Sequence, residues 1–569
     1  MGMDAQNRYV SWLQDPLIDQ NTKEELQILV NDKEEIEDRF FRWISFGTGG
    51  LRGTIGAGTN RMNVYTVRLA TQALANNLIS QDKASGGVAI AHDSRHMSRE
   101  FTEAAASVLV GNGIPVYVFS DLAPTPLLSY AVRHYGASAG IVITASHNPS
   151  EYNGYKVYNE QGNQILNDES LSISSQMSKL GLDNVQVAVN PKEDPLWTWL
   201  GEEVIASYYG QLMKIAPKVE GIQDLRVLYT PLHGTGARFV PEMLRKAGFS
   251  FVDTVEEQMV PDGDFPTIKY PNPEEPEAFE LSFAKAENSS YDLIMATDPD
   301  ADRMGVAVKH NGEWILLNGN QVGILLTDFI LSNTKQEELS RSVVIKTIVS
   351  TDMVEPIAQK YGVEVRNTLT GFKYIGALID ELPKENKAFI FGFEESYGYL
   401  AGTAVRDKDA VLASLLVAQV AAYYKQKDLT LVDRLEELLE EYGYYLQDLV
   451  SYTFATSLEA ERSREFIKEL ERTPISKVSE EEVVEVLNYG QGKAFNLKTK
   501  KERVLELPKE RVLQWVTAGK SKITLRPSGT EPKMKLYLEV VANSAEEAQN
   551  KLVSLRTALD TMIKQGLNK

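Results

Sequence analysis

Five short apolar, β-branched runs along the chain each end in a loop of small or polar residues, and the repetition of that unit sets the architecture. Three of the runs cover residues 87–91 before His92-Asp93-Ser94-Arg95, 140–144 before Ala145-Ser146-His147-Asn148-Pro149, and 226–230 before Pro231-Leu232-His233-Gly234. Two more cover 293–296 before Thr297-Asp298 and 388–392 before Phe393-Glu394-Glu395. Each leads towards a helical pattern, and strands alternating with helices predict α/β layers with mainly parallel sheets. In such sheets ligands collect at the carboxyl ends of the strands. The polar loops are therefore where chemistry is to be sought.

At 569 residues the chain exceeds what one hydrophobic core organises, so several domains are expected. Residues 435–441 put leucines at helical spacing and glutamates on the other face, which predicts a solvated helix. Residues 412–424 are largely apolar but too short to cross a bilayer, which predicts a buried helix. The character changes after about Tyr442: strand-like 445–454, 522–525 and 534–541, with a closing helix from Ser544, predict a separate α+β terminal domain. The three α/β stretches before it could be divergent copies of one unit, which a single sequence leaves open.

Composition narrows the function classes. An apolar fraction of 43% and a charged fraction of 24% are those of a soluble globular protein. No stretch approaches the roughly 20 apolar residues of a membrane span. Met1-Gly2-Met3-Asp4 lacks a basic region ahead of an apolar core, so no secretory signal is expected, and Gln6 replaces the Ser or Thr that myristoylation of Gly2 would need. The absence of cysteine excludes disulfides, thiolate nucleophiles and Cys-ligated metals. A cytoplasmic location is expected. The net charge of −20 argues against nucleic acid as a partner. An acidic chain that binds phosphate must instead build local cationic pockets.

Four loops carry recognisable chemistry. In Thr144-Ala145-Ser146-His147-Asn148-Pro149 small neighbours leave the Ser146 hydroxyl accessible. In isolation such a serine reads as a turn-former, and as a nucleophile it needs a base, a metal or a strong field. The nearby Gly136-Ala137-Ser138-Ala139-Gly140 imitates a hydrolase elbow, but it follows a helical stretch and precedes a strand, the reverse of what that elbow requires. In Asp298-Pro299-Asp300-Ala301-Asp302-Arg303 the carboxylates at every second position can point hard oxygens at one small cation such as Mg²⁺. An EF-hand is excluded, because Arg303 stands where Gly is needed and Lys309 where a bidentate Glu is needed. Gly392-Phe393-Glu394-Glu395-Ser396-Tyr397-Gly398 suits the gripping of sugar hydroxyls or, equally, a capped helix start. Arg526-Pro527-Ser528-Gly529-Thr530-Glu531-Pro532-Lys533 could form a phosphate clamp or a surface turn. Gly519-Lys520-Ser521 only imitates a P-loop, since Gln514 stands at its first Gly.

These four loops, in this order, resemble the α-D-phosphohexomutases, the superfamily of phosphoglucomutases and phosphomannomutases. The resemblance extends to Gly47-Thr48-Gly49-Gly50-Leu51-Arg52-Gly53 and Asn153-Gly154-Tyr155-Lys156, and covers nearly the whole chain. It implies three related α/β domains (1–205, 206–320, 321–440) and a C-terminal α+β domain (441–569) around a central cleft, each supplying one loop. It implies that Ser146 is a phosphoserine with His147 catalytic beside it, and that Asp298, Asp300 and Asp302 hold one Mg²⁺ per chain together with the Ser146 phosphate. Glu394 and Ser396 would bind sugar hydroxyls. Arg526, Ser528, Gly529, Thr530 and Lys533 would bind the phosphate that is not transferred. Arg52, Lys156, Arg303 and Lys408 match basic positions around the reacting group.

Thr368-Leu369-Thr370-Gly371-Phe372-Lys373 has Phe372 where phosphomannomutase-type members carry His, and its Thr370, Gly371 and Lys373 are expected at the substrate. This departure and the Glu-Glu-Ser-Tyr-Gly loop look like the phosphoglucomutase branch, although 154–158 and Thr-Gly-Phe-Lys are also similar to phosphopentomutases. The expected reaction interconverts glucose 1-phosphate and glucose 6-phosphate through glucose 1,6-bisphosphate, with pentose or mannose phosphates as alternatives. Small-molecule sugar phosphates are the expected partners, with neither nucleic acid nor membrane. Lys156 is either the proton acceptor or a purely electrostatic group. A Mg²⁺-dependent phosphatase with Asp298 as nucleophile would need Thr or Val where Asp302 stands.

Overall fold

The computed structural model describes residues 4–47, 49–454, 456–527 and 533–567. The chain gathers into two compact units. The first comprises the residues up to Leu326 and Phe372–Thr430; the second comprises Thr327–Gly371 and the chain from Leu431.

In the first unit, strands β1 (Gly50–Thr54), β2 (Val88–His92), β3 (Val116–Phe119), β4 (Ala139–Ile143), β5 (Tyr152–Asn159) and β6 (Trp197–Leu200) form a sheet in the order β1-β5-β4-β2-β3-β6. Strands β7 (Arg226–Thr230), β8 (Phe251–Thr254), β9 (Leu293–Thr297), β10 (Met304–His310) and β11 (Glu313–Leu317) form a second, in the order β11-β10-β9-β7-β8. Both sheets are mixed. The central strands β4-β2-β3-β6 and β9-β7-β8 are parallel, whereas β1, β5, β10 and β11 join antiparallel. Strands β2, β4 and β9 are buried at every residue, which is why they read as unbroken apolar runs rather than as an alternation.

The loops differ from the expected strand–loop–helix unit at three of the five runs. After β2 and β7 the chain does enter helices, Ser98–Gly111 and Gly236–Ala247. After β4, after β9, and after the strand Ala388–Glu394 it turns back instead into antiparallel partners: β5, β10 and Gly398–Ala401. The Ser146, aspartate and Glu394 loops are thus hairpin connections, with both arms anchored in a sheet. Gly136 is the left-handed C-cap of helix Thr125–Tyr135, ahead of β4, so the hydrolase-elbow imitation has no elbow. Helix Ala410–Lys425 is almost wholly buried, as its sequence predicts, and is N-capped by Asp409.

In the second unit Ser342–Thr347 and Glu364–Thr368 pair in parallel. The terminal sheet is antiparallel, in the order Tyr444–Thr453, Lys533–Ala542, Lys522–Pro527, Leu513–Thr517, Glu481–Asn488, Lys493–Asn496, Glu502–Val504. Helix Ala545–Leu567 packs on it through Leu552, Leu555, Leu559 and Ile563. Lys520 lies in the turn between Leu513–Thr517 and Lys522–Pro527, with φ 61°, so the P-loop imitation is a hairpin tip. Among the described residues no helix is long and apolar enough to cross a membrane.

Candidate active site

The aspartate loop is the centre of the first unit's polar cluster. Asp298, Asp300 and Asp302 are all buried, and one ligand oxygen from each lies within 4.8 Å of the others. The hairpin between β9 and β10 curls them together, with Ala301 in the left-handed region at φ 50°. Asp298 Oδ1 accepts from the backbone N–H groups of Asp302 (3.1 Å) and Arg303 (2.9 Å), which fixes the curl. Loop 231–235 supports it from below: Thr235 N–H donates to Pro299 O at 2.8 Å, and a Cβ on Gly234 would sit 2.3 Å from Pro299 Cα. Only glycine permits that approach.

Ser146 reaches this cluster directly. Its Oγ donates to Asp298 Oδ2 at 2.7 Å, and His147 Nδ1 lies 3.1 Å from the same Oγ. Ser146 has φ 51°, and its N–H donates to Thr144 Oγ1 at 2.8 Å. Lys156, on β5, donates to Asp300 Oδ2 at 2.7 Å and to Asp302 Oδ2 at 3.5 Å. Arg52 stands on β1 opposite Gly154 in register, two residues from Lys156.

The Glu394 loop joins from the other side. Met304 N–H donates to Tyr397 O at 3.1 Å, and Ala410 N–H donates to Ala301 O at 3.2 Å. Lys408 Nζ lies 3.1 Å from Asp302 Oδ2 and 3.2 Å from Asp407 Oδ1. Glu394 is buried and Ser396 half-buried. Arg303 pairs with Glu274 and keeps its Nε 3.9 Å from Asp302 Oδ1.

The electrostatics follow from three carboxylates and three cations out of water. Burial, Asp300 and Asp302 together push Asp298 well above the usual carboxylate range. Burial also pushes Asp302 up, but Lys408, Lys156 and Arg303 outweigh it and hold Asp302 well below that range. Burial lowers Lys156 less than Asp300 and Asp302 raise it. Loss of solvent, Arg303 and Arg52 drive His147 well below the usual imidazole value, so it is neutral near pH 7. Burial raises Glu394, against Lys408 and Arg303.

The donor set fits a hard divalent cation. Asp300 Oδ1 and Asp302 Oδ1 are buried and accept no hydrogen bond among the described residues, an arrangement that costs free energy unless a cation satisfies them.

The structure therefore brings together Ser146, His147, Lys156, Asp298, Asp300, Asp302, Arg303, Glu394 and Lys408, with Arg52 acting on His147. Lys373, on helix Phe372–Glu381, donates to Asn167 Oδ1 at 2.9 Å. Thr370, Gly371 (φ 114°), Arg526 and Lys533 belong to the second unit, where the Arg526 backbone stands opposite Lys535 in the strand register. Ser528, Gly529 and Thr530 lie outside the described residues, as does Thr48. Three contributors escaped the sequence reading. Thr125 donates to Asp300 Oδ2 at 2.8 Å, Asp407 holds Lys408 and accepts from Tyr158 OH at 2.7 Å, and Glu274 holds Arg303. A charged doublet beside Lys408 was visible for Asp407; no local signal marks the other two.

Family profiles described as phosphoglucomutase/phosphomannomutase alpha/beta/alpha domains I, II and III match residues 44–183, 206–312 and 318–442. A phosphoglucomutase of Staphylococcus haemolyticus is 36% identical over 515 residues, spanning 90% of this chain and 93% of that protein. One from Staphylococcus epidermidis is 36% identical over 510 residues, spanning 89% and 92%. Among solved structures, a phosphoglucomutase/phosphomannomutase family protein from Burkholderia thailandensis shares the fold with a TM-score of 0.67 at 18% identity, covering 91% of this chain and 97% of that one. Parafusin, a phosphoglucomutase from Paramecium, shares it with a TM-score of 0.67 at 18% identity, covering 92% and 94%.

Proposed function

Because the chain belongs to the phosphoglucomutase/phosphomannomutase family, we propose that it interconverts glucose 1-phosphate and glucose 6-phosphate, with Ser146 as the phosphoryl carrier. The observation that carries this reading is the 2.7 Å hydrogen bond from Ser146 Oγ to Asp298 Oδ2, which seats the loop serine on the buried carboxylate cluster.

Phosphoryl transfer asks a protein for alignment and charge rather than covalent assistance. In the resting enzyme Ser146 carries a phosphoryl group of about −2 charge near neutral pH. A free hydroxyl of the bound sugar phosphate attacks that phosphorus, and the bond to Ser146 Oγ breaks. The products are glucose 1,6-bisphosphate and the serine hydroxyl. The bisphosphate turns over and returns its other phosphoryl group to Ser146. Asp298, Asp300 and Asp302, with an oxygen of the Ser146 phosphate, would hold Mg²⁺, which when bound neutralises phosphoryl charge.

Lys156, Lys408 and Arg303 supply fixed positive charge at the same point. The two carboxylates that hold the Lys156 ammonium support its electrostatic role over that of proton acceptor. Arg52 and His147 would face the transferred group. Glu394 and Ser396 grip sugar hydroxyls, contacts that tolerate two opposite orientations. By the family resemblance Thr370, Gly371 and Lys373 would contact the substrate, and Arg526, Ser528, Gly529, Thr530 and Lys533 would bind the phosphate that is not transferred.

The test is kcat/KM on glucose 1-phosphate, mannose 1-phosphate and ribose 1-phosphate, with glucose 1,6-bisphosphate and Mg²⁺ supplied. A preference for glucose 1-phosphate is expected. A larger value for ribose or mannose 1-phosphate would move the assignment to a pentomutase or mannomutase on the same machinery.

A further inference from the structure

We propose that Arg95 is a positioning residue that holds Ser146 in its reactive orientation, an inference that rests on the phosphoserine reading above. Arg95 is 3% exposed and lies in the loop after β2, not in the serine loop. Its Nη2 donates to the carbonyl of Ser146 at 2.6 Å and to that of Asn148; its Nη1 donates to those of Pro149 (2.7 Å) and Tyr152 (3.0 Å). One guanidinium thus gathers four carbonyls of a single hairpin connection. Carbonyls turned inward together need a cation between them, and the planar, five-donor fork of Arg suits this where the three donors of a lysine ammonium do not.

The fork also has neighbours of its own. Asp93, fully buried, lies 3.4 Å from Arg95 Nε and accepts from Arg95 N–H at 2.9 Å and Ser98 Oγ at 2.8 Å. The Phe265 ring centroid lies 4.9 Å from the guanidinium carbon. Phe265 is a buried non-glycine residue at φ 48°, a conformation that persists only where surroundings enforce it. Its segment is fastened to the Arg95 loop, since His96 Nε2 lies 2.7 Å from Asp264 Oδ1 and a Cβ on Gly263 would meet His96 N at 2.7 Å. Asn153 Nδ2, at the far end of the serine loop, donates to His96 O at 2.9 Å.

Ser146 needs such a brace. It is left-handed at φ 51°, and must present Oγ to the aspartate cluster while it is phosphorylated and dephosphorylated in each cycle. Misplacement of a reacting atom by about 1 Å can cost about 100-fold in rate. Arg95 acts on the carbonyl side of Ser146 and leaves Oγ free for the reaction.

The test is Arg95→Lys in the full chain, assayed for glucose 1-phosphate turnover and for labelling of Ser146 by glucose 1,6-bisphosphate. We expect kcat and the labelling rate to fall together by about tenfold or more while KM stays within about twofold, the pattern of a lost transition-state alignment. Arg95→Ala should recover part of its kcat on addition of guanidinium ion. Unchanged kcat and labelling, with loss of thermal stability alone, would overturn the inference. If Arg95→Lys fails to fold, Phe265→Leu keeps the guanidinium but removes its ring face, and the same kcat-only loss must appear there. A wild-type protein without mutase activity would instead overturn the functional reading, and this inference with it.

Discussion

Replacing Asp298 by Asn removes one of three buried carboxylates and almost nothing else. The ligand oxygens lie within 4.8 Å of one another, and at an effective dielectric near 20 two unit charges at that separation repel by about 3.5 kcal/mol. Burial and both neighbours push Asp298 well above the carboxylate range. Without a cation, the folded state therefore keeps a proton there that the unfolded chain releases near pH 4. The sign follows by linkage: the metal-free protein loses stability as pH rises from about 4 towards the raised folded value.

The amide of the Asp298→Asn variant has no proton to lose. Its Oδ1 can still accept from Asp302 N–H and Arg303 N–H, and its Nδ2 can donate to Ser146 Oγ, as the protonated Oδ2 of the metal-free wild type would. In EDTA near neutral pH the variant's thermal midpoint is expected to equal or exceed the wild type's. Magnesium reverses the order, because a ligand at about 100 times its Kd stabilises by about 2.7 kcal/mol, and only the intact triad gains it. Scanning fluorimetry across a magnesium titration, near pH 5 and near neutral pH, reads both arms. An Asp298→Asn protein several degrees less stable than wild type in EDTA, or gaining as much from magnesium, would refute the reasoning.

Lys408 lies within 3.2 Å of both Asp302 and Asp407, and breaking a buried ion pair from one side costs about 3–5 kcal/mol. Lys408→Met should lower the urea midpoint by a corresponding amount and abolish turnover. Burial raises Asp409 to about 6 although it accepts from Leu412 N–H and Tyr208 OH. Its contribution to stability is thus lost as pH rises from about 4 to about 6. Asp409→Asn, which retains the cap, should flatten that part of the profile of thermal midpoint against pH.

The strands with two buried faces were legible in the sequence, as were the loops that end them, because unbroken apolar runs and clustered polar residues are local signals. The direction in which the chain leaves those loops was not. A hairpin return after Ile143 or Thr297 depends on pairing with β5 and β10, whose mixed residues read no more clearly as strand than as helix. The strands Glu481–Asn488, Lys493–Asn496 and Glu502–Val504 were hidden in a Glu/Lys-rich stretch, whose charged residues mask the alternation; of the three, Glu502–Val504 forms the sheet edge, which such charges protect. The motifs singled out Ser146, the three aspartates, Lys156 and Lys408, which the structure brings together. Arg95 stands in one of the polar loops the sequence marks, but its role, like that of Thr125, was not legible there, because their partners lie 51 and 175 residues away.

In the proposed cycle Ser146 lends a phosphoryl group and recovers it. Incubating the protein with Mg²⁺ and glucose 1,6-bisphosphate labelled in its phosphates, then mapping the label by peptide mass spectrometry, tests it directly. Label on Ser146, discharged by added glucose 1-phosphate with no accumulation of inorganic phosphate and absent from Ser146→Ala, is the predicted result. Label on Asp298, or steady release of inorganic phosphate, would contradict it.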